Sequence, residues 1–369
     1  MIPKLQNWRR AVLVLLAGVV GLLLIALSPA ASRAWSGPAT YYVSPGGSDW
    51  AAGTRRDSPL ATIQRAVDLA RPGDRVELAA GVYMQDVISR RDGSEAAPIV
   101  IAGPPDAVLK GSGASSRIVE INHDNLTLDG FTIDGQWGAP ASADGFREKL
   151  LYAIGRAPGD GVTGLKVLHM TLKNAGGECM RMRYFAQHNE VGFSRFEGCG
   201  VHDFVFHAGK RNGEAIYIGT APEQRGNGEN PDARPDESSA NWIHDNTFNT
   251  QGNECVDIKE ASSANVVERN SCTGQRDPNS GGFDARGGGN IIRYNESFGN
   301  VGAGIRLGGD GKADGIDNQV YGNSLHDNQG GGIKLVRKPQ RLCGNQLRDN
   351  RGSDLIGAGR GKLDPAAPC

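Results

Sequence analysis

The sequence predicts an all-β solenoid on three observations. Asparagine recurs at an internal spacing of five (Asn241 and Asn246, Asn265 and Asn270, Asn290 and Asn295, Asn318 and Asn323). These pairs follow one another by 24, 25 and 28 residues, and Asn345 stands a further 22 beyond Asn323. Between them lie short β-like runs without helical periodicity, NWIHDNTF, NVVERNSC and NIIRYNES, and glycine reaches 53 residues, as tight corners require. A repeat of this length buries its apolar face only against its neighbours, and runs this short make it a β unit. Equivalent asparagines in successive turns can hydrogen-bond as a ladder along the stack, which is their expected role.

Residues 1–34 are expected to be a secretory signal. Lys4, Arg9 and Arg10 precede a seventeen-residue apolar or glycine run, Ala11 to Leu27, and Ser32 and Ala34 suit the minus-three and minus-one sites of a signal peptidase. The alternative is an uncleaved anchor. Removing the segment's four basic residues (Lys4, Arg9, Arg10, Arg33) and no acidic one takes the formal charge from −1 to −5. A mildly acidic surface excludes a nucleic-acid partner, and no membrane contact is expected once the signal is cleaved. The mature chain is expected to be a monomer, secreted or periplasmic. Six cysteines fit an exported protein without forming a dense framework. Cys179 and Cys255 fall in one core column, two coils or roughly 9–10 Å apart, too far to bridge, and are expected as buried apolar residues. Cys343 with Cys369 could tie down the C-terminus.

The remainder, 35–369, reads as one domain: a cap at about 38–85, coils at about 86–350 and a fraying tail at about 351–369. YYVSPGGSD is a strand and turn. Ser58 and Pro59 then open an amphipathic helix, with Leu60, Ile63, Val67 and Ala70 on one face, stopped by Pro72-Gly73-Asp74. Such a helix can cover the open end of the first coil. RVELAAGVY and APIVIAG follow as strands. Two inserts interrupt the coils, Gln136 to Asp160 and Ala221 to Ala240, and the second is expected either to wall a groove or to be a disordered excursion. This cap, YYVSPGGSD with PLATIQRAVDLA and RPGDRVELAAGVY, resembles that of right-handed parallel β-helix proteins of the pectate-lyase-like superfamily. The resemblance implies a right-handed parallel β-helix with an N-terminal capping α-helix over nearly the whole mature chain.

Setting GNECVDIK over SGGFDARG aligns Asp257 with Asp284 and Lys259 with Arg286. Upward, Glu178 and Glu214 join the Glu254 column, Arg181 and Tyr217 the Asp257 column, and Arg183 the Lys259 column; downward, Arg306 and Lys334 join Asp257. Alternation puts Asp257 and Lys259 outward and Val256 and Ile258 inward, so a solvent-facing charged strip is expected. That strip suits β-elimination on an acidic, uronate-containing polysaccharide. The chemistry needs a neutralised carboxylate, a base for the carbon-5 proton and help for the leaving oxygen. Glu214, Glu254 and Glu178 are the candidate ligands for Ca²⁺, and Lys259 is the candidate base. Arg286, one coil or about 4.8 Å away, would repel its charge by about 3.5 kcal/mol at an effective dielectric near 20, an upper figure before screening. Glu254 and Asp257 act the other way. Asp257, Asp284, Arg183, Arg306, Lys334 and Tyr217 are the candidate substrate contacts.

The pattern is similar to polysaccharide lyase family six, the chondroitinase B and alginate lyase group. There, Glu residues before a Lys bind calcium, the Lys is the base, and an Arg on the next coil completes the site. The resemblance implies these roles for Glu254, Lys259 and Arg286, and for Glu214. Glu260 and Gly287 stand where the family has Ser and His, and Gly252 where it has a second acid. The alternatives are a carbon-5 epimerase, which shares the proton abstraction, and a non-catalytic polysaccharide-binding or structural β-helix with these charges merely paired. Pectin hydrolysis on such a fold would need paired Asp residues, and no Asp-Asp dipeptide occurs.

Overall fold

The computed structural model describes residues 37–209, 212–358 and 363–369; the expected signal segment lies outside them. Three sheets of 11, 10 and 10 strands run along the chain, and each complete coil gives one strand to each. Every strand pairing is parallel and joins equivalent positions of successive coils, as in Trp242–His244 with Val266–Glu268 and then Ile291–Arg293. The result is a parallel β-helix, wound in the right-handed sense that parallel crossovers take. No described helix is long and apolar enough to cross a membrane.

Inward columns make the core. Ile243, Val267, Ile292 and Val320 stack on one sheet, Ile216, Val256, Phe283 and Ile305 on another, all buried. The rings of Phe196 and Phe248 stack at 4.9 Å. Each such side chain contributes about 1.5–3 kcal/mol, but only once the neighbouring coil is in place.

Corner backbone amides have no strand partner, and the asparagines supply one. Asn246 donates both its backbone N–H and its Nδ2 to Asn270 Oδ1 at 3.0 Å, and Asn270 does likewise to Asn295. The two predicted ladders are present, from Asn189 and from Asn246. A third, Asn300 to Asn328 to Asn350, was not anticipated.

Four expectations are corrected. The capping helix is Ile63–Leu69, not Ser58 onward, with Thr62 as N-cap. Leu60 is held extended by bonds to Tyr42 and Ser44, and Asp49 binds the amides of Ala61 and Thr62. The first insert contains Lys149–Ile154, whose apolar KLLYAI run is a buried strand of a regular coil. The C-terminal segment does not fray at about 351. Strands continue to Leu355–Gly357, and Pro365 accepts from Asn345, the last rung of its ladder. Finally, Cys179 and Cys255 do not bridge each other, but neither is free. The structure has Cys179–Cys199, Cys255–Cys272 and Cys343–Cys369 disulfides, the first two crossing between walls of one coil.

Candidate active site

The predicted Asp257 column is observed on the sheet that contains Met180–Arg183, Ile216–Ile218, Val256–Ile258 and Gly281–Ala285. Arg181 pairs with Tyr217, Tyr217 with Asp257, Asp257 with Asp284, Asp284 with Arg306 and Arg306 with Lys334. Glu214 and Glu254 precede their strands, at a corner. There Cys255 and Val256 both turn into the core, so strict alternation breaks. That break brings Glu254 to the side of Asp257, and one oxygen of each of Glu214, Glu254 and Asp257 lies within 4.8 Å of the others.

The strip is not solvent-facing, which corrects the sequence expectation. Glu254 is 2% exposed, Asp257 0% and Lys259 7%. The second insert is the reason, because it folds back over the strands. Gln224 accepts from Arg181 at 2.6 Å, Asn227 and Asn230 accept from Arg183, and Asp236 caps the amides of Tyr184 and Phe185. Arg183, expected to meet substrate, is instead buried as an anchor of this wall. What stays open is a cleft of about 210 Å³ lined by Glu214, Tyr217, Gln224, Glu254, Lys259 and Arg286.

Within the cleft, Lys259 Nζ lies 2.6 Å from Asp257 Oδ2 and 4.4 Å from the centre of the Tyr217 ring. Gly219, at φ +90°, leaves the room: a Cβ there would sit 2.4 Å from Ser262 Oγ. Arg286 Nε is 3.3 Å from Asp284 and 3.6 Å from Asp257. Glu254 Oε2 and the Tyr217 hydroxyl are buried without a hydrogen-bond partner, as are both Asp257 oxygens, which meet only charge. Burial raises the Glu254 carboxyl well above its usual range, and the charges of Asp257, Glu214 and Asp284 add to it. Burial and Glu178 raise Glu214. Burial opposes the charged form of Lys259, yet Asp257 and its other neighbours outweigh it and hold the amine protonated. Burial pushes the Tyr217 phenol up to about 12.

Three further candidates belong to closed pairs. Glu178 meets Lys149 at 2.6 Å and Arg181 at 3.0 Å, and these outweigh its burial and hold its carboxyl below the usual range. It stands outside the carboxylate cluster, in which Asp257, assigned to substrate by the sequence, joins Glu214 and Glu254. Asp284 and Arg306 neutralise each other at 2.9 Å. Lys334 donates to the Asn279 carbonyl on the rim. An oxygen-only set of three crowded carboxylates, two of them with buried oxygens that lack a hydrogen-bond partner, fits a hard cation such as calcium. Sequence reasoning missed the lining residues Gln224, Asn253 and Asp277, which stand in inserts and corners where the repeat gives no register.

Residues 232–363 match the family model for a right-handed beta helix region. No curated protein matches the chain in sequence. Among solved structures the chain is similar to an alginate lyase from Paenibacillus sp. str. FPU-7, 18% identical with TM-score 0.61, covering 79% of this chain and 94% of that one. It is also similar to pectate lyase Pel9A, 15% identical with TM-score 0.54 and coverages of 90% and 82%. A mannuronic acid specific family 6 polysaccharide lyase from human gut microbiota is 18% identical with TM-score 0.50 and coverages of 88% and 77%. At these identities the likeness is one of fold, and the chain is a right-handed parallel β-helix of the kind these lyases share.

Proposed function

We propose that the chain cleaves a uronate-containing polysaccharide by β-elimination, and that it is exported to do so. The observation that carries this is the convergence of Glu214, Glu254 and Asp257 with Lys259, Arg286 and Tyr217 in one cleft. Glu214, Glu254 and Asp257 would hold a calcium ion, whose chemistry is to neutralise the uronate carboxylate and so acidify the carbon-5 proton.

Lys259 Nζ takes that proton, acting from its neutral form. Asp257 keeps the amine charged while its own charge is unshared, and a cation held by Asp257 and Glu214 would weaken that hold. Arg286 faces the negative charge that builds on the substrate carboxylate. As the double bond forms between carbons 4 and 5, the bond from carbon 4 to the glycosidic oxygen breaks. Tyr217, protonated and unpartnered, donates to that oxygen. Lys259 then returns its proton to Tyr217, so no water is consumed.

The test is ultraviolet absorbance of the unsaturated uronate, with acidic polysaccharides as substrates, in calcium and in chelator. Product in calcium, lost in Lys259→Ala, supports an elimination. Binding without product favours a non-catalytic β-helix, and inversion at carbon 5 without chain cleavage favours an epimerase.

A further inference from the structure

The cleft leaves unused a row of rings elsewhere on the cylinder. One outer corner of the coils joins the two sheets that do not carry the cleft. It is the column His169, Phe193, Asp245, Arg269, Tyr294 and Gly322, each one residue past a strand end that pairs in register with the next coil. All six have left-handed backbone, Phe193 at φ +53° and Tyr294 at φ +55°. Glycine is free in that conformation and Asp and His are tolerated, but a bulky aromatic side chain is strained. Burial does not repay the strain, because Phe193 is 54% exposed and Tyr294 55%. A strained residue that adds nothing to the core is kept for another reason. The coils also make room for rings on this side. A Cβ on Gly322 would lie 2.6 Å from the Tyr294 ring, and one on Gly192 2.6 Å from the His244 ring, which Phe193 meets at 5.2 Å. Trp242 stacks on His244 at 3.6 Å, and Tyr321 meets Tyr294 at 5.6 Å. Between the two groups of rings, Arg269 bonds Asp245 and Glu268, and Arg293 bonds Glu268. Phe193 and Tyr294 stand three coils, or about 14 Å, apart along the axis. A single sugar is too short to reach both, whereas a chain of sugars can lie across them.

We propose that this corner is a second, non-catalytic polysaccharide-binding surface, on which a strand lying along the cylinder stacks its apolar ring faces against Phe193 and Tyr294. The choice of a sugar polymer as occupant rests on the reading of the cleft as a polysaccharide site, but binding at the corner needs no turnover. Stacking does not depend on charge, so it persists in salt that screens the charged cleft.

The experiment is calorimetric titration of Lys259→Ala, which leaves the polymer uncut, with alginate, polygalacturonate and hyaluronan in chelator and about 1 M salt. At least one polymer is expected to bind. Adding Phe193→Gly and Tyr294→Gly should weaken that binding by roughly tenfold or more. The same pair should raise the melting temperature, since glycine takes the left-handed backbone without strain. Phe193→Tyr with Tyr294→Phe keeps both rings and should keep the affinity. Unchanged affinity without the rings, or binding of none of the three polymers, overturns the proposal. Lost affinity with a lowered melting temperature also overturns it, because the rings would then only brace the coils. A dimer that dissociates when the rings are removed, with polymer affinity unchanged, assigns the corner to a second copy of the chain instead. Failure of the elimination reading shows separately, as no unsaturated product from the unaltered chain in calcium, and leaves these titrations intact.

Discussion

Glu178 and Glu254 occupy the same column, each just before a half-cystine, two coils apart, and they have opposite fates. Glu178 meets Lys149 and Arg181 and is held ionised. Glu254 has an oxygen without a partner and resists ionisation. The difference lies three residues on, where the column carries Arg181 in one coil and Asp257 in the other. That residue, together with Lys149 from the preceding coil, decides whether a buried carboxylate closes an ion pair or is left for a ligand. The lesson is to look for function where a repeated charge pattern fails to neutralise itself.

The largest effect expected is on turnover. Lys259→Ala should lower kcat by about 10³-fold, within the range that a positioned base contributes. Calorimetry should show calcium still bound, since the three carboxylates remain. Loss of calcium binding along with activity would mean that Lys259 only organises the cluster.

The next effect separates the twin glutamates by sign. Glu178→Gln leaves Lys149 and Arg181 buried without their counter-charge and should cost about 3–5 kcal/mol, read by denaturant unfolding. Glu254→Gln removes a carboxyl whose ionisation burial and its acidic neighbours oppose, and should raise stability in chelator, by about 1 kcal/mol, while abolishing the gain from calcium. Destabilisation of similar size in both variants would erase the distinction between them.

Tyr217→Phe comes below these. It should lower kcat by roughly 10- to 100-fold, the smaller end of acid–base contributions. Its unfolding free energy should change by less than about 0.5 kcal/mol, because a hydroxyl without a partner gives up no hydrogen bond. Unchanged kcat would exclude the phenol as donor to the leaving oxygen.

Column membership was legible in the sequence because a period-two strand in a stacked repeat fixes both face and partner. Asp257 over Asp284 and Tyr217 over Asp257 follow from spacing alone. Two things were not legible. At the corner, Cys255 and Val256 both turn inward, so alternation could not show that Glu254 and Asp257 converge. The insert carries no repeat, so nothing foretold that Asn227 and Asn230 would bury Arg183 or that Gln224 would take Arg181. Disulfide partners were hidden for a related reason: Cys255 reaches Cys272 across the coil's interior, whereas the repeat aligns residues along the stack.

The smallest effect is the pH dependence of melting in chelator, and its sign follows from the twin comparison. Glu214 and Glu254 have folded values raised above the ordinary carboxylate range, so their contribution is complete below about pH 4.3 and is lost as pH rises through the folded values. Glu178 and Asp284 are lowered instead. Their contribution is present above the ordinary range and is lost only in stronger acid, so it stays constant between about pH 5 and 8. The His202 value is raised by its hydrogen bond to Glu148, and it also loses stability as pH rises through this window. That loss is common to the unaltered chain and to Glu254→Gln. The difference between their slopes therefore isolates the cluster. With chelator, the unaltered chain should lose the more stability from about pH 5 to 8, at about 1.4 kcal/mol for each unit by which the carboxyls are raised. Calcium should restore more at pH 8 than at pH 5, because it competes there with fewer protons. Parallel slopes with and without Glu254 would show that its carboxyl ionises normally, and the contrast with Glu178 would then be one of geometry alone.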